Sequence, residues 1–139
     1  MKKVFKPDIR FCFFKTYNEY EKFRNNLEIG ECMRLPNMQP FTEALRRLAG
    51  VSNVDYQSVV AVNSEKAAGL VLEDEIEFWF ISSWEEAGEI QKRGKGIMLI
   101  EIHPFSEWLR HKAGVTNKEY TFILAVKGEK QWEKWKKRR

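Results

Sequence analysis

Short apolar runs alternate with polar, turn-rich stretches along this chain, and both the strand period and the helix period recur. Ile9 to Lys15 is almost continuously apolar and aromatic, which predicts a strand covered on both faces. Thr16-x-x-Glu19 follows as a capping box, each side chain satisfying a free backbone donor of a first helical turn. Tyr20, Phe23 and Leu27 keep helical spacing up to Gly30. Glu31 to Gln39 is poorly patterned, holds Pro36 and has room for one short strand. Pro40 suits the first position of a helix whose Phe41, Leu45 and Leu48 share a face before Gly50.

The middle of the chain reads as strands. Ser58 to Val62 and Leu70 to Leu72 are apolar and rich in β-branched residues, and Glu75 to Ile81 alternates, with Ile76, Phe78 and Phe80 on one face. Ser83-x-x-Glu86 is a second capping box, opening a helix through Ile90 to about Arg93. Gly94-Lys95-Gly96 turns into a strand over Ile97 to Ile102. His103-Pro104 starts a helix with Phe105, Trp108 and Leu109 inward, closed by Gly114. Glu119 to Val126 is the last strand, followed by a helix from about Glu129 to the end.

The resulting order, β-α-(β)-α-β-β-β-α-β-α-β-α, shows no repeat and no linker. It predicts one α+β domain over 1–139: a mixed, mostly antiparallel sheet with helices packed on it, and a basic C-terminal helix over 127–139. A length of 139 residues suits one domain, and 43% apolar with 32% charged residues is a globular composition. No apolar run reaches the roughly 20 residues of a membrane-spanning helix, and the N-terminus lacks a secretion signal. The expectation is a soluble, cytoplasmic protein.

Charge changes the picture more by its placement than by its net value of +4. Lys127, Lys130, Lys134, Lys136, Lys137, Arg138 and Arg139 face only Glu129 and Glu133 at one end, and Lys2, Lys3 and Lys6 stand at the other. Basic ends on a mildly acidic body point to an anionic partner, or serve only to keep the chain soluble. On a helical wheel Trp132 and Trp135 fall together, and Lys127, Lys130, Lys134, Lys137 and Arg138 fall nearly opposite. With the tryptophans docked, the cations form a ridge fit to lie along phosphates, while an ordinary amphipathic cover is the plain alternative. Lys92-Arg93-Gly94-Lys95-Gly96 is a second basic element, readable as a phosphate contact or as a helix C-cap whose cations suit the dipole.

Candidate chemistry is sparse. Cys12 reads as a small buried hydrophobe and Cys32 as a loop thiol without a His partner. Glu75 and Glu77 share a strand face and could pair on a divalent cation, but a solvated strand edge explains them as well. The two histidines, His103 and His111, do not form a zinc pattern. No residue pattern calls for a metal or a cofactor. His103 with Arg110 or His111 would suit a metal-independent ribonuclease or toxin, in which a base activates a 2′-hydroxyl and cations steady the phosphorane. Trp79 lies opposite the Ile76, Phe78 and Phe80 face and could stack a base or seat a partner.

The reading that follows is a small, non-enzymatic accessory protein. It binds RNA, DNA or a nucleoprotein complex through backbone phosphates, using Lys92, Arg93, Lys95, Lys127, Lys130, Lys134, Lys137 and Arg138. A regulator or inhibitor of the kind phages and mobile elements carry fits that description. The ribonuclease is its first rival. A protein-interaction module docking through Trp79, Trp132 and Trp135 is the second.

Overall fold

The structure, a computed structural model, describes residues 2–36, 39–94, 96–99 and 103–126. The strands are β1 (Lys2–Phe5), β2 (Ile9–Phe14), β3 (Cys32–Arg34), β4 (Ser58–Asn63), β5 (Leu70–Leu72), β6 (Glu77–Ile81), β7 (Ile97–Met98) and β8 (Phe122–Val126). The helices are α1 (Tyr17–Arg24), α2 (Pro40–Ala49), α3 (Trp84–Lys92) and α4 (Pro104–Ala113), with a single 3-10 turn at Ser64–Lys66. No helix among the described residues is long and apolar enough to cross a membrane.

The fold is α+β, but the single mixed sheet expected from the sequence is two sheets, each purely antiparallel. One has the order β3-β4-β2-β5 and the other β1-β6-β8-β7. They belong to two compact units. Among the described residues, one unit takes 8–74 and the other takes 2–7 with 75–126. The basic helix expected over 127–139 lies outside the described residues.

Each unit covers its sheet on both faces, as the near-continuous apolar strands require. In the 8–74 unit, Phe14 meets Phe23 of α1 at 5.0 Å between ring centroids, and Phe11 meets Phe41 of α2 edge-on at 5.7 Å. Phe11 and Phe14 point to opposite faces of β2, so the two helices sandwich the sheet. In the other unit, Ile81, Leu124 and Val126 pack with Ala87 and Ile90 of α3, while Phe78 meets Phe105 of α4 edge-on at 6.0 Å. Both capping boxes close as expected: the Thr16 and Ser83 hydroxyls accept from the Glu19 and Glu86 amides.

The absence of a repeat is the expectation the structure overturns. Pro40-Phe41-x-Glu43-x-Leu45-Arg46-x-x-Ala49-Gly50-Val51-x-Asn53-x-x-Tyr56 returns as Pro104-Phe105-x-Glu107-x-Leu109-Arg110-x-x-Ala113-Gly114-Val115-x-Asn117-x-x-Tyr120. The geometry returns with it. Gly50 and Gly114 end α2 and α4 at φ +74° and +73°, a conformation that costs any residue with a Cβ. Leu35 and Leu99 donate to the Val59 and Ile123 carbonyls, and Tyr56 and Tyr120 to those of Ser52 and Thr116. Arg46 and Arg110, each 1% exposed, make the same set of hydrogen bonds. The offset between the halves shortens between α1 and α2, and α1 and α3 share few identities, so apolar period alone hides the match.

The two sequence repeats also trade a strand. β1 precedes β2 and β5 precedes β6 at matching places in the repeat. Yet β1 pairs with β6, placing Phe5 opposite Phe78 and Val4 opposite Trp79. β5 pairs with β2, placing Leu72 opposite Phe11 and Val71 opposite Cys12. These are the same register, each repeat's leading strand completing the other's sheet. Lys2-Lys3-Val4-Phe5 looks from the sequence like a basic tail because its pairing partner is remote in the chain.

Three further boundaries differ from expectation. α1 stops at Arg24 with Asn25 as its cap rather than running to Gly30, since Asn25-Asn26 favours a turn over another helical turn. Residues 116–120 form a turn held by Thr116 and Glu119, so β8 starts at Phe122 rather than Glu119. β7 spans Ile97–Met98 and ends before Leu99, and residues 100–102 of the expected strand lie outside the described residues.

Candidate functional site

β2 delivers the chain to Thr16, whose cap fixes the first turn of α1 and leaves Tyr17 at its first position, 50% exposed. One turn on, Tyr20 is buried, its ring 5.6 Å from that of Tyr17. Burial raises the Tyr20 phenol above its ordinary pKa. Arg34 reaches this pair from β3, opposite Val60 of β4. Its guanidinium lies 5.1 Å from the Tyr17 ring centroid and 6.0 Å from that of Tyr20. Arg24 stands 6.0 Å from the Tyr20 ring and is held by Glu21 at 2.6 Å.

Of the five arginines of its unit, Arg34 and Arg47 have no carboxylate partner among the described residues. Arg10, Arg24 and Arg46 each have a carboxylate partner, at 4.0, 2.6 and 2.9 Å. Arg34 is half-buried, has no carboxylate partner among the described residues, and its buried Nε has no hydrogen-bond acceptor. A guanidinium held over aromatic rings and left without an anion offers donors to a phosphate or carboxylate and a flat face to a planar group.

The same place in the other unit has different chemistry. The repeat puts Trp84 where Tyr17 stands, Ala87 for Tyr20, Gln91 for Arg24 and Met98 for Arg34; Met98 pairs with Leu124 as Arg34 pairs with Val60. Trp84 is 59% exposed, and its ring lies 5.5 Å from Phe122. A shallow depression of about 600 Å³ beside it is lined by Trp84, Glu85, Gly88, Glu89, Gln91 and Lys92. This counterpart is apolar, with an acidic rim.

The residues singled out from the sequence fall partly inside and partly outside the described residues. Lys92 and Arg93 are exposed at the end of α3, and Arg93 is 3.8 Å from Glu89. Lys95 lies outside the described residues, as do Lys127, Lys130, Lys134, Lys137, Arg138, Trp132 and Trp135. Trp79 is half-buried: Lys2 covers its ring at 4.0 Å, its indole N–H donates to Glu77 at 3.0 Å, and it packs against the α3 core. Among the described residues the exposed tryptophan is Trp84, and its position directly after the capping Ser83 was the available signal, as Tyr17 after Thr16 was for the first unit.

His103, Arg110 and His111 do not converge. His103 caps α4, its Nδ1 accepting from the Phe105 amide at 3.2 Å. His111 is in the last turn, about 12 Å further along the axis at 1.5 Å per residue. Arg110 is buried, donating to Glu107 at 2.8 Å and to the Tyr120 and Thr121 carbonyls at 3.1 and 2.7 Å. These bonds hold the turn before β8, and Arg46 does the same before β4. A guanidinium so occupied cannot also steady a phosphorane.

The other titratable candidates are equally engaged. Burial pushes both the Cys12 and Cys32 thiols up, which works against nucleophilic use. Glu77 is held below the ordinary carboxylate range, first by the Trp79 indole and then by Lys6 at 3.2 Å. Among the described residues no three His, Cys, Asp or Glu side chains gather as metal ligands would. No family model, no curated protein and no solved structure matches the chain.

Proposed function

We propose that this protein is a non-enzymatic accessory factor that binds nucleic acid or a nucleoprotein assembly through phosphate contacts. The observation that carries the reading is Arg34: a half-buried guanidinium seated on two tyrosines with no carboxylate among the described residues to neutralise it. The exposed Lys92 and the cations of 127–139 extend the same chemistry. A regulator or inhibitor of a larger nucleic-acid enzyme, acting in the cytoplasm, needs no catalytic centre of its own.

The test is a salt titration of the full chain against single- and double-stranded RNA and DNA. Each phosphate contact contributes about 0.7–0.9 to the slope of log affinity on log salt. Changing Lys127, Lys130, Lys134, Lys137 and Arg138 to Gln should flatten that slope. Salt-independent binding, or none at low salt, rejects the reading. RNA shortening that disappears with His103→Ala would establish the ribonuclease instead. Trp84 on Phe122 favours a protein partner as the second reading, for which binding should tolerate salt and fail on Trp84→Ala.

A further inference from the structure

We propose that Tyr17, Tyr20 and Arg34 form a subsite for one unpaired nucleotide, its base stacked on Tyr17 and its phosphate held by Arg34; this rests on the nucleic-acid reading and makes it specific. A base inside a duplex already stacks on its neighbours, so an exposed phenol ring beside a free guanidinium is usable only by a splayed nucleotide. Tyr20 sits beneath as the buried second ring that, with Tyr17, orients the guanidinium. Arg24, already neutralised by Glu21, adds field rather than a free donor. The repeat locates the site on one unit only, because the matching strand position carries Met98.

That counterpart supplies the test. Arg34→Met puts into β3 the residue that β7 carries at the same register, so the sheet accepts it. Affinity of the full chain is measured at fixed low salt for a labelled ten-nucleotide single strand and for a duplex of the same sequence. Arg34→Met and Tyr17→Ala should each weaken single-strand binding about tenfold, the scale of one lost stack, and Tyr17→Phe should not. Duplex affinity should move less than twofold. If both variants keep single-strand affinity within twofold while the 127–138 neutralisation removes it, the subsite is wrong and the nucleic-acid reading stands. If single strand and duplex weaken alike, the unpaired-base claim falls. If no nucleic acid binds, both fall.

From a separate observation we infer that charge selects the traded strands. Lys6 pairs with Glu77 at 3.2 Å, and Arg10 with Glu73 at 4.0 Å: the same place in the repeat with the signs reversed. If β1 folded back on β2 in the register that β5 uses, Lys6 would face Arg10. If β5 folded on β6, Glu73 would face Glu77. Opposite charges across a strand pair stabilise it and like charges do the reverse, so the local hairpins are penalised twice and the traded pairing favoured twice. At mid-range values for four such pairs the bias is about 60-fold.

Cys12 reports the pairing. In a Cys32→Ser background, Val71→Cys lies opposite Cys12 in the observed sheet, within reach of a disulfide, whereas Val4→Cys lies opposite Trp79. Oxidation should link Cys12 to position 71 and not to position 4. Lys6→Glu with Glu73→Lys reverses the code: the link at 71 should weaken or the urea midpoint fall, and adding Arg10→Glu with Glu77→Lys should restore both. A link at position 4 in the parent background, or reversal without effect on link or midpoint, overturns the inference.

Discussion

Replacing Arg46 or Arg110 with Met should cost the fold about 3–5 kcal/mol, the scale for breaking a buried ion pair by removing one partner. Arg46 donates to the Tyr56 and Gln57 carbonyls, both at 3.0 Å, and to Glu43 at 2.9 Å. Desolvation lowers its pKa, and Glu43 opposes that shift. Removing the side chain strands two backbone carbonyls and a carboxylate, each charge-assisted bond carrying about 1.5–3 kcal/mol. Met nearly fills the volume of the stem, so little of the loss is cavity. Lys should rescue poorly, because one ammonium cannot span three acceptors in the plane of the fork. Urea unfolding followed by far-UV circular dichroism measures both variants. Tryptophan emission adds a local probe, since all five tryptophans follow residue 74. The repeat demands comparable losses at the two positions. A loss below about 1 kcal/mol at either would refute the view that these arginines hold the turns before β4 and β8.

Three smaller predictions follow the same geometry. Glu77 has a folded pKa below its unfolded one, so its contribution is present above the ordinary carboxylate value and lost as pH falls through the folded value. Glu77→Gln should therefore destabilise at neutral pH, and its gap from the parent should close in acid; a gap constant across that range would contradict the assignment. Gly50→Ala and Gly114→Ala should each cost about 1–2 kcal/mol from the left-handed backbone alone, since a Cβ meets nothing within 4 Å at either place. Thermal melts that show no loss at either glycine would count against the cap geometry. His103→Ala should cost about 1 kcal/mol as a lost cap while leaving nucleic-acid affinity unchanged. An affinity loss at constant stability would make His103 a binding residue as well as a cap.

Local features were legible in the sequence and long-range ones were not. The capping boxes, the Pro-to-Gly spans of α2 and α4, and the apolar strands β2 and β4 were all readable, because each is determined within a few residues. Pairing is not local. Lys2-Lys3-Val4-Phe5 is a strand only because Phe78 to Ile81 lies beside it. Arg110 resembles a surface cation in sequence because the acceptors that bury it beyond Glu107 are backbone carbonyls, which leave no residue-type signature. Arg34 carries no sequence signal for a related reason: it sits in the least patterned stretch, and the tyrosines that define it come from another element.

The duplication separates scaffold from function without any second protein for comparison. Positions that match between the units, Arg46 with Arg110, Gly50 with Gly114 and Glu43 with Glu107, answer demands of backbone and buried polar groups that both sheets share. Positions where the units diverge at matching places in the repeat have been released from those demands. Arg34 stands against Met98, Tyr20 against Ala87, and Tyr17 against Trp84, in the first helix of each repeat and the short strand that follows it. A half-buried cation without an anion costs folding free energy and offers no packing that Met does not provide. Its presence in one unit and absence from the other is what binding would require and folding would not.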